Sequence, residues 1–276
     1  MRQTINNEEL RRKYNPEGST IRKVQLRMLH ILKVVDSICQ RHGIQYVLDG
    51  GSLLGAVRHG GFIPWDDDLD ITVMRKDLKR LRKILPKELP SDLVYQDCTT
   101  DKNFPFLIAK VRDRNSCLFE ELEWSRRIKE KGIYIDIIPM EDMPSLTWKK
   151  KLDYWYGHCV RGVHHYANKK DTLLSAIVLP FSWTLVTVTR FVNVFRHTDQ
   201  VAHVYGWGAY NSFSKKDLYP IKRMQFEDMQ ACVPSNPDAV LSRLFGDYMQ
   251  IPPENNRNSN SHIVQIEFYD KPIIDK

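Results

Sequence analysis

The stretch Ile63-Pro64-Trp65-Asp66-Asp67-Asp68-Leu69-Asp70-Ile71 puts four carboxylates into five positions flanked by apolar side chains. Neighbouring carboxylates repel, and their pKa values rise unless a positive charge sits among them. Three metal motifs fit the spacing. Asp66-x-Asp68-x-Asp70 begins like a calcium loop, with Asp77 at the twelfth position, but Ile71 occupies the sixth, where the turn needs glycine. Asp66-Asp67-x-x-Asp70 matches a helical diphosphate-binding motif, but Pro64 before it and Ile71-Thr72-Val73 after it oppose a helix. As a strand, alternation sends Asp66, Asp68 and Asp70 to one face and Asp67, Leu69 and Ile71 to the other. That reading predicts a cation row of three acids for Mg²⁺ or Mn²⁺, hard ions that take carboxylate and phosphate oxygens together. Asp67 is then a bystander that tolerates replacement by asparagine.

Working outward, residues 19–42 carry apolar side chains at helical period from Ile21 to Cys39, with Ser19 or Thr20 as cap and Gly43 as stop. A short strand over 44–48 leads into Asp49-Gly50-Gly51-Ser52 and a small helix, LLGAVRH. After the acidic strand comes a basic amphipathic helix, Arg75 to Leu85. Strand patterns follow at 93–96, 106–111, 117–120 and 133–138, the last apolar except for Asp136. Helical character takes over from Ser145, and 173–189 contains no charged residue. That run is short for a membrane span and contains Pro180, so it predicts a buried helical hairpin or shallow docking beside Trp183, Arg190 and Arg196. A strand and a short helix follow in the C-terminal part. The expected class is α+β, a mixed sheet flanked by helices with a mainly helical C-terminal part. The expected division is a catalytic core over 1–144 and an acceptor- and membrane-facing part over 145–276.

The 276 residues, 42% hydrophobic and 27% charged, suit a globular chain with a sizeable core. A net charge of +7 favours phosphorylated or polyanionic partners, or an anionic membrane surface. Five scattered cysteines form no Cys-x-x-Cys pair, and the N-terminus has no apolar secretory core; both point to a cytoplasmic setting. Adjacent His164-His165 and distant His262, without cysteine partners, do not make a zinc site.

The order Gly-Ser, short helix, Asp-x-Asp on a strand resembles the nucleotidyltransferase (DNA polymerase β-like) superfamily. The run LDGGSLLGAVRHGGFIPWDDDLDITVMRKDLKRL (48–81) resembles more closely the LicD family of phosphocholine transferases, which includes relatives of fukutin. KVRDRNS (110–116), GIYIDIIPMEDMP (132–144), YPIKRMQFEDMQACVP (219–234) and LFGDYMQIPPENNR (244–257) extend the likeness over most of the chain. The resemblance implies transfer of phosphocholine from CDP-choline to a sugar of a teichoic acid or lipopolysaccharide, or of ribitol phosphate from CDP-ribitol. It implies that Asp66, Asp68, Asp70 and Asp136 hold metal and that Gly51 and Ser52 approach the donor phosphates. Two features depart from it. The spacer between Ser52 and Asp68 is longer than in the simplest polymerase-like pattern, as it is in LicD-type sequences. Glu227-Asp228 stands where Glu-Gly is expected.

The residue chemistry is compatible with that implication. Phosphoryl transfer depends on alignment and charge neutralisation. Gly50, Gly51 and Ser52 at a helix start can turn backbone N–H groups to a phosphate. Arg58 and His59 are candidates for donor phosphate or acceptor, or are surface residues. Lys110 and Arg112 alternate on a strand as a phosphate clamp or a solvated edge. Asp136, costly to bury alone, ligates metal, takes the acceptor proton or forms a salt bridge. Glu227 is a candidate contact for choline or acceptor. Trp65, Tyr134, Phe226, Tyr248 and Trp207 are candidate faces for a quaternary ammonium. The expected partners are CDP-choline or another CDP-alcohol, and a lipid-linked glycan acceptor. Residues 173–196 are the expected peripheral contact with the inner face of the plasma membrane. No interleaved basic–aromatic tract suggests a nucleic-acid partner. Competing readings are a true nucleotidyltransferase, an Asp-x-Asp glycosyltransferase, and a non-enzymatic cell-envelope scaffold anchored through 173–196.

Overall fold

The computed structural model describes residues 6–104, 106–120, 123–165, 169–207, 211–257 and 263–272. Helix α1 (Asn7–Tyr14) precedes α2 (Thr20–Arg41), where the Ser19 hydroxyl accepts the Arg22 N–H at 3.3 Å. Strand β1 (Tyr46–Leu48) runs into α3 (Gly50–His59), whose N-cap Asp49 accepts from the Gly50 N–H at 2.9 Å. Gly60, at φ +67°, ends it. Strand β2 (Asp70–Met74), helix α4 (Arg75–Glu88) and strands β3 (Leu93–Gln96), β4 (Ala109–Asp113), β5 (Ser116–Glu120) and β6 (Tyr134–Asp142) follow. Beyond them lie α5 (Leu146–His165), α6 (Lys169–Phe195), β7 (Gln200–His203), β8 (Ser212–Ser214) and α7 (Lys215–Leu218). The hairpin β9 (Lys222–Phe226) and β10 (Met229–Val233), helix α8 (Pro237–Phe245) and β11 (Ile263–Phe268) complete the chain.

The central sheet has the order β1-β2-β6-β4-β3, with β7 pairing β6 and β8 pairing β7. Strands β2 and β6 are parallel and the other pairs antiparallel, so the class is α+β with a mixed sheet. Alternation gives this sheet two unlike faces. Ile71, Val73, Val111, Ile135 and Ile137 are buried in one core with Ile31, Leu32 and Val35 of α2 and Leu81 and Leu85 of α4. The opposite face carries polar residues. Register aligns Lys110 with Asp136 and Asp136 with Asp70, and Leu48 opposite Ile71 brings Asp49 beside Asp70.

Three expectations change. The acidic stretch is not a strand throughout: β2 begins only at Asp70, and residues 66–69 form an extended loop after a turn at Pro64-Trp65. The part after residue 144 is helical for most of its regular structure, but it also contributes five strands among the described residues. Two of these, β7 and β8, extend the central sheet, and Val201, Phe213, Phe226 and Ala231 join the core of α2. Arg190 is not on an outer face; it forms a fork with Glu141 at 2.8 and 2.9 Å. No described helix is long and apolar enough to cross a membrane. His262 lies outside the described residues, as do the side chains of His164, His165 and residues 173–176.

Candidate active site

Two groups of acids meet at the N-terminal end of β2. The first is a row across three strands. Lys110 of β4 lies 2.6 Å from an Asp136 carboxylate oxygen of β6, and Asp136 stands in register with Asp70 of β2. The second is the loop before β2, where carboxylate oxygens of Asp66, Asp67 and Asp68 lie within 4.8 Å of one another. Asp67 therefore does not point away. Strand alternation applies only from Asp70 onward, and the preceding loop brings three consecutive carboxylates together.

The electrostatics follow from this crowding. Burial, with repulsion from Asp68 and Asp67, pushes the Asp66 carboxyl up to about 7. Asp68 rises to about 6 through burial, Asp67 and Asp136; its side chain still opens to solvent, which tempers the burial contribution. Asp70, half-buried, is held well above the ordinary carboxylate range by burial and then by Asp136, Asp68 and Asp49. Burial pushes the Lys110 ammonium down, against the pull of Asp136. Tyr134 supports this cation: Lys110 Nζ sits 3.3 Å from its ring centroid, and the Arg112 guanidinium 4.6 Å.

Helix α3 delivers its N-terminus to the acids. A Cβ on Gly51 would come 2.9 Å from Asp66 Oδ2, so only glycine permits this approach with Asp66 in place. The Ser52 hydroxyl accepts from the Asp70 N–H at 2.8 Å and fixes the start of β2. Asp49 was not singled out by sequence. It accepts from Gly50, from the Thr72 hydroxyl at 2.8 Å and contacts His203 Nε2 at 2.7 Å. Burial opposes its charge, but these partners hold its pKa below the ordinary range. Its place before Gly-Gly-Ser, as a helix N-cap, was the signal available in the sequence.

Other candidates are engaged elsewhere. Arg58 donates from Nε to His59 and from Nη1 to the carbonyls of Tyr248 (2.9 Å) and Gln250 (3.3 Å). His59 Nδ1 lies 2.7 Å from Asn7 Oδ1, and burial, with Arg58 and Arg11, depresses its pKa to about 3. This pair ties α1 and the C-terminal loop to the far end of α3. Arg112 is 1% exposed and donates to Gln96 Oε1 (2.5 Å) and the Gly132 carbonyl (2.8 Å), so it braces the sheet interior rather than a solvated edge. Glu227, in the two-residue turn between β9 and β10 at φ +53°, accepts from the Phe62 N–H at 3.1 Å and Arg22 Nη2 at 2.9 Å. It braces the turn before the acidic loop. Asp228 completes this turn without glycine and pairs with Lys33 at 2.6 Å. Among the aromatic candidates, Trp65 packs on Tyr14 and His59 and Phe226 on Phe62, both buried, whereas Tyr134 faces the row.

Residues 43–168 match the family model described as LicD/FKTN/FKRP, nucleotidyltransferase domain. Over 269 residues the chain is 27% identical to lipopolysaccharide cholinephosphotransferase LicD of Haemophilus influenzae, covering 86% of this chain and 94% of that protein. A segment of 59 residues is 39% identical to human ribitol 5-phosphate transferase FKRP, covering 21% of this chain and 12% of that protein. An uncharacterised protein of Rickettsia prowazekii is 39% identical over 84 residues, 30% of each chain. With these similarities added to the fold and the carboxylate site, the class is a phosphotransferase. Residues 43–168 carry a LicD-type domain.

Proposed function

We propose that the protein transfers phosphocholine from CDP-choline to a sugar hydroxyl of a lipid-linked teichoic acid or lipopolysaccharide precursor, releasing CMP. The observation that carries this reading is the convergence of Asp66, Asp67 and Asp68 with the Asp70–Asp136–Lys110 row at the N-terminus of α3. Mg²⁺ or Mn²⁺ fits this donor set, because the cluster is all carboxylate and its raised pKa values express burial together with uncompensated repulsion. Asp66, Asp67 and Asp68 would hold the ion, with Asp70 and Asp136 adjoining. Such an ion would neutralise charge on the donor diphosphate. The acceptor hydroxyl attacks the β-phosphorus, a new P–O bond forms, the bond to the CMP oxygen breaks, and CMP leaves with that electron pair. Asp70 receives the hydroxyl proton, since burial and the acids beside it raise its affinity for one. Lys110 offsets the charge of Asp136 and keeps the row from expelling the anionic donor. Backbone N–H groups at Gly50 to Ser52 orient the phosphates, as a helix start does for anions. In this reading the nucleotidyltransferase-like core spans residues 1–144, and residues 145–276 face the acceptor.

The test is CMP release with Mg²⁺ across CDP-choline, CDP-ribitol and UDP-sugars, with a panel of sugar acceptors. CMP from CDP-choline is expected. CMP from CDP-ribitol alone would change the headgroup but keep the chemistry. Turnover of UDP-sugars without CMP from any cytidine diphosphate donor would refute the assignment.

A further inference from the structure

Helix α6 is inside out. Towards the body of the protein it buries Ser182, Val186, Thr189 and Asn193, three of them polar. To the outside it presents Phe181 (75% exposed), Trp183 (55%), Val188 (52%), Phe191 (66%), Val194 (72%) and Phe195 (70%). A helix packed on a water-soluble core has the reverse arrangement. The only ionisable side chain between residues 177 and 195 is Arg190, and it is turned inward to Glu141. The exposed hydroxyls are also satisfied without water: Thr184 donates to the Pro180 carbonyl and Thr187 to the Trp183 carbonyl, each at 2.8 Å. Such back-bonding suits a hydroxyl facing a medium without hydrogen-bond partners. Helix α5 adds exposed Trp148 and Tyr154, with a cleft of about 570 Å³ beside them that Leu152 and Leu185 also line. Exposed Lys150, Lys151 and Arg196 rim this surface.

We propose that the outer face of α6, with Trp148 and Tyr154, seats in the interfacial layer of an anionic phospholipid membrane. A bilayer boundary takes aliphatic and aromatic side chains below the headgroups and pairs the cationic rim with lipid phosphates. The cations also argue against a second copy of this chain as occupant, since self-pairing would bring two basic rims together. No described helix is long and apolar enough to cross a membrane, so the attachment is peripheral. The surface stands apart from the carboxylate row, and the inference does not rest on the donor assigned above.

The experiment is flotation of the full chain with phosphatidylcholine vesicles, with and without phosphatidylglycerol. Wild-type protein is expected to float with the anionic vesicles, less so at high salt. Each of Phe181→Ser, Phe191→Ser and Phe195→Ser should weaken binding on the order of tenfold. These side chains are already exposed, so circular dichroism should show unchanged folding, and CMP release with a soluble acceptor should persist. Tryptophan emission should shift to the blue on binding, by less in Trp183→Phe than in wild type, the remainder coming from Trp148. Failure to float, a triple serine variant that floats like wild type, or a dimer that the triple variant dissolves would each overturn the proposal. Vesicle binding needs no donor, so a failed transfer assay and a failed flotation are separate results.

Discussion

Replacing Asp66 by asparagine should stabilise the metal-free protein while abolishing its activity. The Asp66 carboxyl titrates near 7 in the folded state against 3.8 for the unperturbed group, a gap of about three pH units. Because the folded pKa is the higher one, the folded state prefers the neutral acid. The group's contribution is fully present below pH 4 and is lost as pH rises through 7. That gap corresponds to ~4 kcal/mol at alkaline pH, and partial solvent contact lowers the expectation to roughly 2–4 kcal/mol. Asparagine keeps the volume and one acceptor but carries no charge at any pH, so Asp66→Asn recovers this energy at pH 8 and gains under ~1 kcal/mol at pH 4. For a chain of this size that is a rise in Tm of roughly 3–7 °C at pH 8. The assay is calorimetry in chelator at both pH values, followed by titration with Mg²⁺, which should stabilise wild type more than the variant. An Asp66→Asn protein no more stable than wild type at pH 8 would refute the crowding argument. An equal gain at pH 4 would assign the effect to packing instead of charge.

Asp67→Asn should lower Mg²⁺ affinity on the order of 10–100-fold, read as a shift in the metal dependence of CMP release; an unchanged titration would return Asp67 to the role of bystander. Lys110→Met leaves Asp136 without its cation and should reduce kcat on the order of a hundredfold with the fold retained, as measured by steady-state kinetics and thermal melting. Glu227→Ala removes the acceptor of the Phe62 N–H and the partner of Arg22, and should cost roughly 3 kcal/mol in urea unfolding while sparing kcat. Gly61→Ala would drive a Cβ into the Glu227 carboxylate, so its penalty should shrink in the Glu227→Ala background, which a double-mutant cycle measures.

The helical period of α2 and the apolar run of β6 were legible because burial there follows one local repeat, and Asp136 stood out against Ile135 and Ile137 for the same reason. The roles of Arg58, His59 and Glu227 were not, because each is decided by a partner far along the chain. Arg58 meets carbonyls about 190 positions away, and Glu227 meets Arg22 across 205 positions. A charged residue beside a glycine turn reads the same whether it faces a substrate or a distant backbone group. Charge and spacing therefore nominate a residue, but only tertiary pairing assigns it.

The acidic loop shows what that distinction changes. Alternation along a strand would leave three acids to one ion and discard Asp67. The observed loop joins the sheet where the Asp70 N–H meets Ser52 and the Asp136 N–H meets the Leu69 carbonyl at 2.9 Å. Asp70 and Asp136 are thus fixed by the sheet, whereas Asp66, Asp67 and Asp68 lie in the loop before it, tied to α2 where the Asp66 carbonyl accepts from Gln25 Nε2 at 2.8 Å. A site made of one sheet-held pair and one loop-held triad can keep its base in place while the triad follows a diphosphate that changes charge as CMP departs. On this argument Asp70→Asn should suppress kcat at saturating Mg²⁺, and Asp67→Asn should be rescued by it. If excess Mg²⁺ rescued Asp70→Asn instead, the division between sheet-held and loop-held acids would be wrong.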